Sequence, residues 1–262
     1  MLKIRQFVIL TVWSLSPVSL AAQNNVVSPP LPPLDSVIQR AVTEANHEAD
    51  QDRSFKQHYS YTRTRVTEYR NTDGNLKDRE QKTDSNQPDA ARATTRQSVQ
   101  HHDSTAQSTG ATIQGDTVHG KVFSRNDFLL NPDLLNRFQI TLAGRETING
   151  RPALMVDFAP KSGNLPESSI KDRFINRAAG RIWVDETDYA MVKADLHLTQ
   201  KVNVLGGLVG AVWKFNYSFE RERTDDGLWF VRNVNWHLEG RAVVLHRVVD
   251  YHEQLTDVRK TK

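Results

Sequence analysis

An alternation of apolar and polar side chains near the C-terminal end constrains the fold of this chain more than any other feature. Between Ala211 and Glu220 the odd positions are apolar and mostly aromatic: Ala211, Trp213, Phe215, Tyr217 and Phe219. A period of two is typical of a half-buried antiparallel strand. A second run, from Leu228 to Glu239, places these apolar residues on one face: Leu228, Phe230, Val234, Trp236 and Leu238. The two runs predict neighbouring strands that share an aromatic inner face.

Turn signals join these runs into a meander. Asp225-Asp226-Gly227 separates the first strand from the second, and its glycine can adopt the positive φ that a tight turn requires. Gly240-Arg241 predicts the next turn, and the residues from Arg241 to Tyr251 predict a third strand.

The first 21 residues have the pattern of a secretory signal peptide. Lys3 and Arg5 precede an apolar run from Phe7 to Leu15, and Ser19-Leu20-Ala21 offers small residues at a cleavage site. The apolar run is shorter than the roughly 20 residues that span a bilayer. We therefore expect an exported, periplasmic, soluble protein, with a short membrane anchor as the alternative. Residues 22–34 form a Pro-rich leader.

Composition excludes several classes of function. The 262 residues contain no cysteine, so disulfides, thiolate metal sites, cysteine nucleophiles and an N-terminal lipid-modified cysteine are all ruled out. The formal net charge is +3, or +1 without Lys3 and Arg5 of the expected signal peptide, and offers no argument for a nucleic-acid partner or an acidic membrane.

The first half of the domain combines a helix, a hairpin and a polar segment. Apolar residues at helical spacing predict a helix that starts at Asp35 or Ser36 and continues to about Ser54. Strands are predicted from His58 to Arg70 and from Leu76 to Thr83. Residues 84–121 are so polar that we expect a mobile excursion or weak edge strands. The histidines of this segment lack the spacing of a metal site, and no metal ligand is assigned.

The second half repeats the plan of helix and hairpin. A helix is predicted over 126–137, and Asn149-Gly150 is a strong hairpin signal between two strands. Another helix, Ser169–Ala179, is predicted to end at Gly180. The whole pattern predicts an α+β fold, in which about nine to eleven antiparallel strands form one curved, unclosed β-barrel capped by two or three helices.

A search for catalytic motifs leaves binding as the main hypothesis. The chain has no phosphate-binding loop, nucleophile elbow, zinc-protease motif or calcium loop, so we predict no enzyme and no cofactor. A large aromatic face with little helix to cover it can leave an apolar cavity. The candidate cavity residues are Ala194, Leu196, Leu198, Trp213, Phe215, Tyr217, Phe219, Phe230 and Trp236. Each of these could equally be an ordinary core residue.

Three segments give the chain a resemblance to a known superfamily. They are GRETINGRPALMVDFAPK (Gly144–Lys161), GRIWVDETDYAMVKADL (Gly180–Leu196) and FERERTDDGLWFVRNVNW (Phe219–Trp236). With the export signal, they make the sequence similar to the LolA/LolB/RseB-like superfamily of periplasmic lipoprotein-handling proteins. The similarity is clearest over residues 125–250, within a single expected domain at 35–255.

The resemblance implies a fold, a ligand class and two alternative roles. It implies an open β-barrel whose apolar interior holds acyl chains of lipids or lipoproteins, sorted toward the outer membrane with transient membrane contact. The alternatives are a sensor domain that binds a periplasmic protein partner, and a structural envelope protein without a ligand. The helix at 169–179, with Ile170 and Phe174, and the loop at 160–168 are the candidate lid.

Overall fold

One large antiparallel sheet forms most of the protein. The structure, a computed structural model, describes residues 29–88, 96–97, 135–163, 165–204, 210–242 and 245–261. These residues contain three helices: α1 (Leu34–Ala45), α2 (Glu48–His58) and α3 (Ile170–Ile175). They also contain eleven strands: β1 (Tyr59–Arg70), β2 (Leu76–Asn86), β3 (Arg96–Gln97), β4 (Phe138–Ile148), β5 (Arg151–Pro160), β6 (Ala178–Asp185), β7 (Met191–Leu198), β8 (Val202–Val204), β9 (Gly210–Arg223), β10 (Trp229–Ala242) and β11 (Leu245–Lys260).

The order of the strands confirms the predicted fold class. The sheet runs β3-β2-β1-β11-β10-β9-β7-β6-β5-β4, with β8 added beside β9, and every described pairing is antiparallel. The two end strands, β3 and β4, do not pair with each other in the described chain, so the sheet stays open. Register shifts interrupt several pairings, and such bulges increase the local bend and twist of a sheet.

The predicted N-terminal helix is two helices. The helix α1 ends at Ala45, and α2 begins at Glu48 after Asn46 and His47. The buried residues of α1 lie four residues apart, at Val37, Ala41 and Ala45, and this periodicity stops where α1 stops. The break lets α2 pack Phe55 into a different cluster from the one that α1 covers.

Two glycines that were expected to end elements lie inside strands. Gly180 does not end a helix, because α3 is already capped at Asn176 and Gly180 belongs to β6. A Cβ atom there would lie 2.0 Å from the carbonyl oxygen of Asp195, so β6 and β7 can approach only at a glycine. The turn predicted at Gly240 is also wrong, because β10 continues to Ala242 against β9.

The third strand of the meander is longer than predicted. The strand β11 continues past Tyr251 to Lys260 because it pairs with β1, from Tyr59↔Lys260 to Arg70↔Val248. Through this pairing the N-terminal hairpin of β1 and β2 joins the sheet beside the meander, although the two are far apart in sequence.

The polar segment is described only at its margins. Its first residues, 84–86, belong to β2, and Arg96–Gln97 forms the short edge strand β3. The rest of 84–121 lies outside the described residues, as do the predicted signal peptide at 1–21, most of the leader and most of the helix predicted at 126–137.

Three apolar clusters stabilise the sheet. The inner cluster lies between α1 and the strands β5, β6, β7 and β9, and it includes Leu154, Val184, Ala194, Phe215 and Phe219. The second cluster joins α2 to the far end of the sheet through Phe55, Tyr59, Tyr61, Phe230 and Leu255. The third cluster consists of Ala153, Trp183, Ala190, Val192 and Trp229.

Candidate functional site

An apolar cavity lies within the inner cluster. Its volume is about 60 Å³, and its wall is formed by α1, the strands β4 to β7 and β9, and the end of α3. All the lining residues are apolar: Ile38, Leu135, Phe138, Ile140, Val156, Phe158, Ile175, Ala178, Ile182, Met191, Ala194, Leu196 and Phe219. With no polar side chain in the wall, the cavity can attract only an apolar group.

A second, smaller void extends this cavity beneath α3. Its volume is about 10 Å³, and it shares Ile175, Ala178 and Leu196 with the larger cavity. Phe174 closes it from above and packs edge-to-face on Phe215, with ring centroids 6.3 Å apart. The cavity and this void form one apolar seam, and α3 lies over one end of it.

Polar contacts hold α3 in place. Ser169 begins the helix with a capping box, in which its hydroxyl accepts the Asp172 N–H and the Asp172 carboxylate accepts the Ser169 N–H. Arg137 donates to the same carboxylate at 2.8 Å, just before β4 begins. Hydrogen bonds from Ser168 and Ser169, together with Arg137, hold the pKa of Asp172 well below its usual range.

The helix α1 covers another part of the inner cluster. Val37 and Ala41 are buried against the sheet, and both belong to the inner cluster. Arg40 donates to the Tyr189 hydroxyl at 3.1 Å, and its guanidinium also lies 4.9 Å from the centre of that ring. The helix α3 is shorter, with six residues, and its buried side chains are Phe174 and Ile175.

The closed cavity is too small for an acyl chain. A dry cavity of about 150 Å³ is needed for a benzene-sized guest, and each water molecule in the liquid occupies about 30 Å³. The 60 Å³ void therefore has room for a small part of such a guest. Binding of an acyl chain requires that a cover moves or that side chains repack.

Five of the nine predicted cavity residues line the seam. Ala194, Leu196 and Phe219 line the larger cavity, while Leu198 and Phe215 line the void under α3. Of the two predicted lid residues, Phe174 covers the void, whereas the Ile170 side chain is 37% exposed at the start of α3.

The other four predicted residues lie elsewhere. Tyr217 is buried in the inner cluster and Trp236 packs against it, but both line a groove rather than the seam. Phe230 belongs to the second cluster, with its ring stacked on Phe55 at 4.7 Å, because a bulge between Val231 and Asn233 breaks the alternation of β10.

Trp213 is displaced from the inner face by another bulge. The pairing changes from Glu239↔Lys214 to Gly240↔Val212, which leaves Trp213 as the extra residue of β9. Val212 packs against the inner cluster instead, and Trp213 is 40% exposed. The assumption of unbroken alternation was therefore wrong at this residue.

The sequence analysis missed the half of the seam that lies on the hairpin of β4 and β5. Phe138, Ile140, Val156 and Phe158 alternate on β4 and β5 in the same way as the aromatic residues of β9. This alternation is present in the sequence and predicts a second apolar face on the hairpin of β4 and β5. Ile38 of α1 could have been found from its helical spacing.

A larger groove combines polar side chains with the aromatic residues Tyr217, Trp236 and Tyr251. Its volume is about 760 Å³, and its polar side chains include His197, Asn216, Asn235, His237 and Asp250. Both ring nitrogens of His237 contact carboxylates, those of Asp250 at 2.6 Å and Glu239 at 2.8 Å. Hydrogen bonds from Lys214 and then His237 lower the pKa of Glu239 to about 2.

The groove provides no metal site that the structure can support. Among the described residues, no group of three or more His, Asp or Glu side chains is placed to hold a metal ion. Its carboxylates are engaged with basic neighbours, as in Asp250 with Arg70 at 2.9 Å.

These features define a class of protein: a helix-capped, open antiparallel sheet with a small, wholly apolar interior cavity. No protein-family model and no curated protein matches the sequence. Among the described residues no helix has the length and apolar character to cross a membrane.

Several solved structures resemble this fold at low identity. A domain described as an outer membrane lipoprotein-sorting protein, from Vibrio parahaemolyticus, is 11% identical with a TM-score of 0.33, and the match covers 86% of this chain and 94% of that one. A LolA superfamily protein from Nitrosomonas europaea is also 11% identical, with a TM-score of 0.29 and coverage of 86% and 94%. The Pseudomonas aeruginosa MucA/MucB complex is 11% identical with a TM-score of 0.24, and the match covers 85% of this chain and 99% of that one. At TM-scores below 0.5 these matches carry no argument about the family or the function of this chain.

Proposed function

We propose that the protein is an exported carrier that binds acyl chains of lipids or lipoproteins in its apolar seam and moves them toward the outer membrane. In this proposal residues 1–21 are the signal peptide, and the mature chain acts in the periplasm without a cofactor or a catalytic step. The observation that carries the proposal is the wall of the cavity, in which every lining residue is apolar.

The physical basis is the transfer of methylene groups from water into the seam. Each buried methylene contributes about 0.8 kcal/mol, so a long chain can supply several kcal/mol after the costs of ordering. The larger cavity has no polar side chain for a headgroup, and His197 is the one polar residue that lines the void under α3, so the polar end of the ligand would stay outside the larger cavity.

The helix α3 is the lid in this mechanism. It covers one end of the seam with Phe174, and its attachment depends on Asp172 and Arg137. A carrier must both admit and release its cargo, and a short helix held by a few side-chain contacts can open without unfolding the sheet.

Native mass spectrometry of mature protein, purified from an envelope extract without detergent, tests the proposal. We expect a lipid or lipopeptide adduct that is lost on denaturation, and uptake of a fluorescent fatty acid by the delipidated protein. A clean apo mass together with no uptake would overturn the carrier function and turn attention to a protein partner, as in the sensor alternative.

Two variants, each with one buried alanine replaced by leucine, test whether the seam is the binding site. Ala194 lines the cavity and is 1% exposed, so Ala194→Leu should fill part of the space and reduce uptake at least tenfold. Ala190 is equally buried but belongs to the third cluster, so Ala190→Leu serves as the control for overpacking. Both variants must first show cooperative unfolding, and equal losses of uptake in the two would place the ligand outside the seam.

A further inference from the structure

The larger groove crosses the outer face of the sheet, which is the face opposite to the inner cluster. Its polar side chains belong to two rows of paired residues, and each row crosses β7, β9, β10, β11 and β1. Because residues two apart on a strand share a face, the rows run side by side about 6.5 Å apart. The first row is Asp195, Ser218, Asn235, His252 and Val66, and the second is His197, Asn216, His237, Asp250 and Glu68, continued on β2 by Arg79.

The backbone between the two rows forms the floor of the groove. Leu196 and Tyr217 lie there but belong to the inner cluster, and Trp236 packs against that cluster. The Tyr251 ring stacks on the Trp236 ring with centroids 5.2 Å apart, so it lies on the same side. The alternation of the strands therefore turns these side chains away from the groove. Recognition of a ligand is left to the side chains of the two rows.

The size and position of the groove suit an extended ligand. Its volume of about 760 Å³ is within the range of about 300–1,000 Å³ that is usual for small-molecule sites. From β7 to β1 the rows cross four strand spacings, or about 19 Å. All five strands beneath the groove have a paired neighbour on both sides, so their backbone groups are engaged within the sheet.

The charges in the groove nearly cancel. Each lining carboxylate has a basic neighbour: Asp250 has Arg70 at 2.9 Å, Glu68 has Arg79 at 3.7 Å, and Asp195 has Lys193 at 4.0 Å. With the adjoining Glu220, Glu239 and Lys214 included, five carboxylates face four basic side chains, and His237 lies between two of the carboxylates. The groove therefore has no marked excess of either sign with which to select a charged ligand.

Uncharged polar groups without partners occupy the centre of the groove. His197, Asn216 and Ser218 make no hydrogen bond with another residue of the described chain. The Nδ1 of His252 donates to the Oδ1 of Asn235 at 2.6 Å, which leaves the Asn235 amide nitrogen and the second His252 ring nitrogen unused. Amides, hydroxyls and imidazoles both donate and accept hydrogen bonds. The centre of the groove thus offers both functions across four neighbouring strands.

We propose that this groove binds a neutral oligosaccharide. Every sugar hydroxyl both donates and accepts, so it matches side chains that offer both functions, and the sugar brings no charge to upset the balance of the groove. A ring that lies in the groove can reach both rows, and successive rings can follow the rows across the strands. The contacts are hydrogen bonds without a stacked aromatic ring, each worth only about 0.5–1.5 kcal/mol, so a chain of sugars should bind better than a monosaccharide.

Other classes of ligand fit the groove less well. A peptide usually binds a sheet by adding a strand to an edge, and the strands beneath the groove are interior. A polyanion would need an excess of cations, and an apolar ligand would need the aromatic rings that face the inner cluster. Because the groove and the seam lie on opposite faces of the sheet, the proposal does not rest on the carrier function.

Titration of the mature protein with three neutral trisaccharides tests the proposal: maltotriose, cellotriose and triacetylchitotriose. Saturation-transfer NMR detects weak binding of such sugars directly. We expect at least one trisaccharide to bind, its monosaccharide to bind at least tenfold more weakly, and added salt to leave the affinity unchanged. No transfer to any of the three, or binding that salt abolishes, would overturn the proposal.

Two variants at the centre of the groove test its location. Asn216→Ala with Ser218→Ala removes one amide and one hydroxyl that have no partner in the described chain, and should reduce the affinity at least tenfold. Ser218→Tyr should reduce it as much by filling the groove. Since tyrosine is favoured in strands, this second variant keeps the test decisive if the first is unstable.

A matched control lies on the same face, at the edge of the sheet. Gln139 and Thr141 also supply one amide and one hydroxyl two residues apart, and both are exposed on β4. Thr141 is joined to Ser218 through paired residues of β5, β6 and β7, so the two lie four strand spacings apart, or about 19 Å. Gln139→Ala with Thr141→Ala should leave sugar binding unchanged. Equal losses in the two double variants would overturn the proposal.

Two further readouts separate this proposal from its neighbours. If no sugar binds, and a short uncharged peptide rich in serine and asparagine binds the native protein but not Asn216→Ala with Ser218→Ala, the occupant is a peptide and the proposal is overturned. Uptake of fatty acid reports on the seam, and the groove variants should retain it. Sugar binding without any fatty-acid uptake would support the groove and refute the carrier.

Discussion

A buried ion pair between α2 and β9 gives the sharpest test of how this sheet is held together. Arg221 continues the inward alternation of Phe215, Tyr217 and Phe219, and is 1% exposed. Its Nη1 donates to the Oε1 of Glu48, at 2.8 Å, and lies 3.3 Å from the carbonyl oxygen of Met191. Glu48 is 3% exposed at the first position of α2.

Removal of one partner should destabilise the protein far more than removal of both. A single buried charge left without its counterion costs about 3–5 kcal/mol, whereas replacing the whole pair by apolar residues is often nearly neutral. We therefore expect Arg221→Met and Glu48→Met each to lower the free energy of unfolding by about 3–5 kcal/mol. For a chain of this size the loss corresponds to a fall in Tm of about 6–20 °C.

Urea unfolding of the two single variants and the double variant measures this coupling. The double variant should be more stable than either single one, and Arg53→Met is the matched control because Arg53 pairs with Asp50 on the exposed face of α2. That exposed pair should contribute less than about 1 kcal/mol. If Arg221→Met costs no more than Arg53→Met, the pair is solvated and the burial of Arg221 has been misjudged.

Three other predictions concern the lid and the sheet. A short bis-maleimide can cross-link α3 to β8 in the double variant Arg173→Cys, Asn203→Cys, and the reaction is specific because the chain has no other cysteine. The cross-link should slow fatty-acid exchange at least tenfold. Unchanged exchange would exclude α3 as the lid. Because the folded-state pKa of Asp172 is lowered, its contribution is present above the unfolded pKa of about 3.9 and is lost as pH falls below it. The protection factors of the α3 amides, which compare observed with intrinsic exchange rates, should therefore fall below about pH 4, and Asp172→Asn should show the lower protection already at pH 7. Gly180→Ala should lower the free energy of unfolding by about 3 kcal/mol in a urea titration, because the new Cβ would lie 2.0 Å from the Asp195 carbonyl oxygen. A loss below about 1 kcal/mol would show that β6 and β7 can separate at this point.

The alternation of side chains predicted the fold class, because a sheet that buries one face has apolar residues at every second position of its strands. The strand β7 and the part of β9 from Phe215 to Arg221 follow this alternation closely. What it could not supply is the position of the bulges, since a bulge inserts one residue without changing the composition around it. Trp213 and Phe230 were assigned to the seam on unbroken alternation, and each lies beyond a bulge.

Glycines misled the sequence analysis for a related reason. A glycine is needed either where the backbone takes a positive φ or where another strand comes close, and the sequence does not distinguish the two. Gly227 has a φ of +95° in a turn, as predicted, whereas Gly180 and Gly240 are required by the close approach of neighbouring strands. These contacts are between neighbouring strands, so they cannot be inferred from the sequence until the strand pairing is known.

The closed state of the seam implies a threshold in ligand chain length. Freeing α3 breaks the Arg137–Asp172 bond, worth about 1.5–3 kcal/mol, and exposes Phe174, worth about another 1.5–3 kcal/mol. At about 0.8 kcal/mol for each methylene, the first four to eight methylenes only offset this cost. Chains of about eight carbons or fewer should then fail to compete with a fluorescent fatty acid, while those of about fourteen or more should compete well. A smooth rise in affinity from the shortest chains, with no threshold, would mean that ligands enter without displacing α3, and the same series measured on Asp172→Asn should shift the threshold to shorter chains.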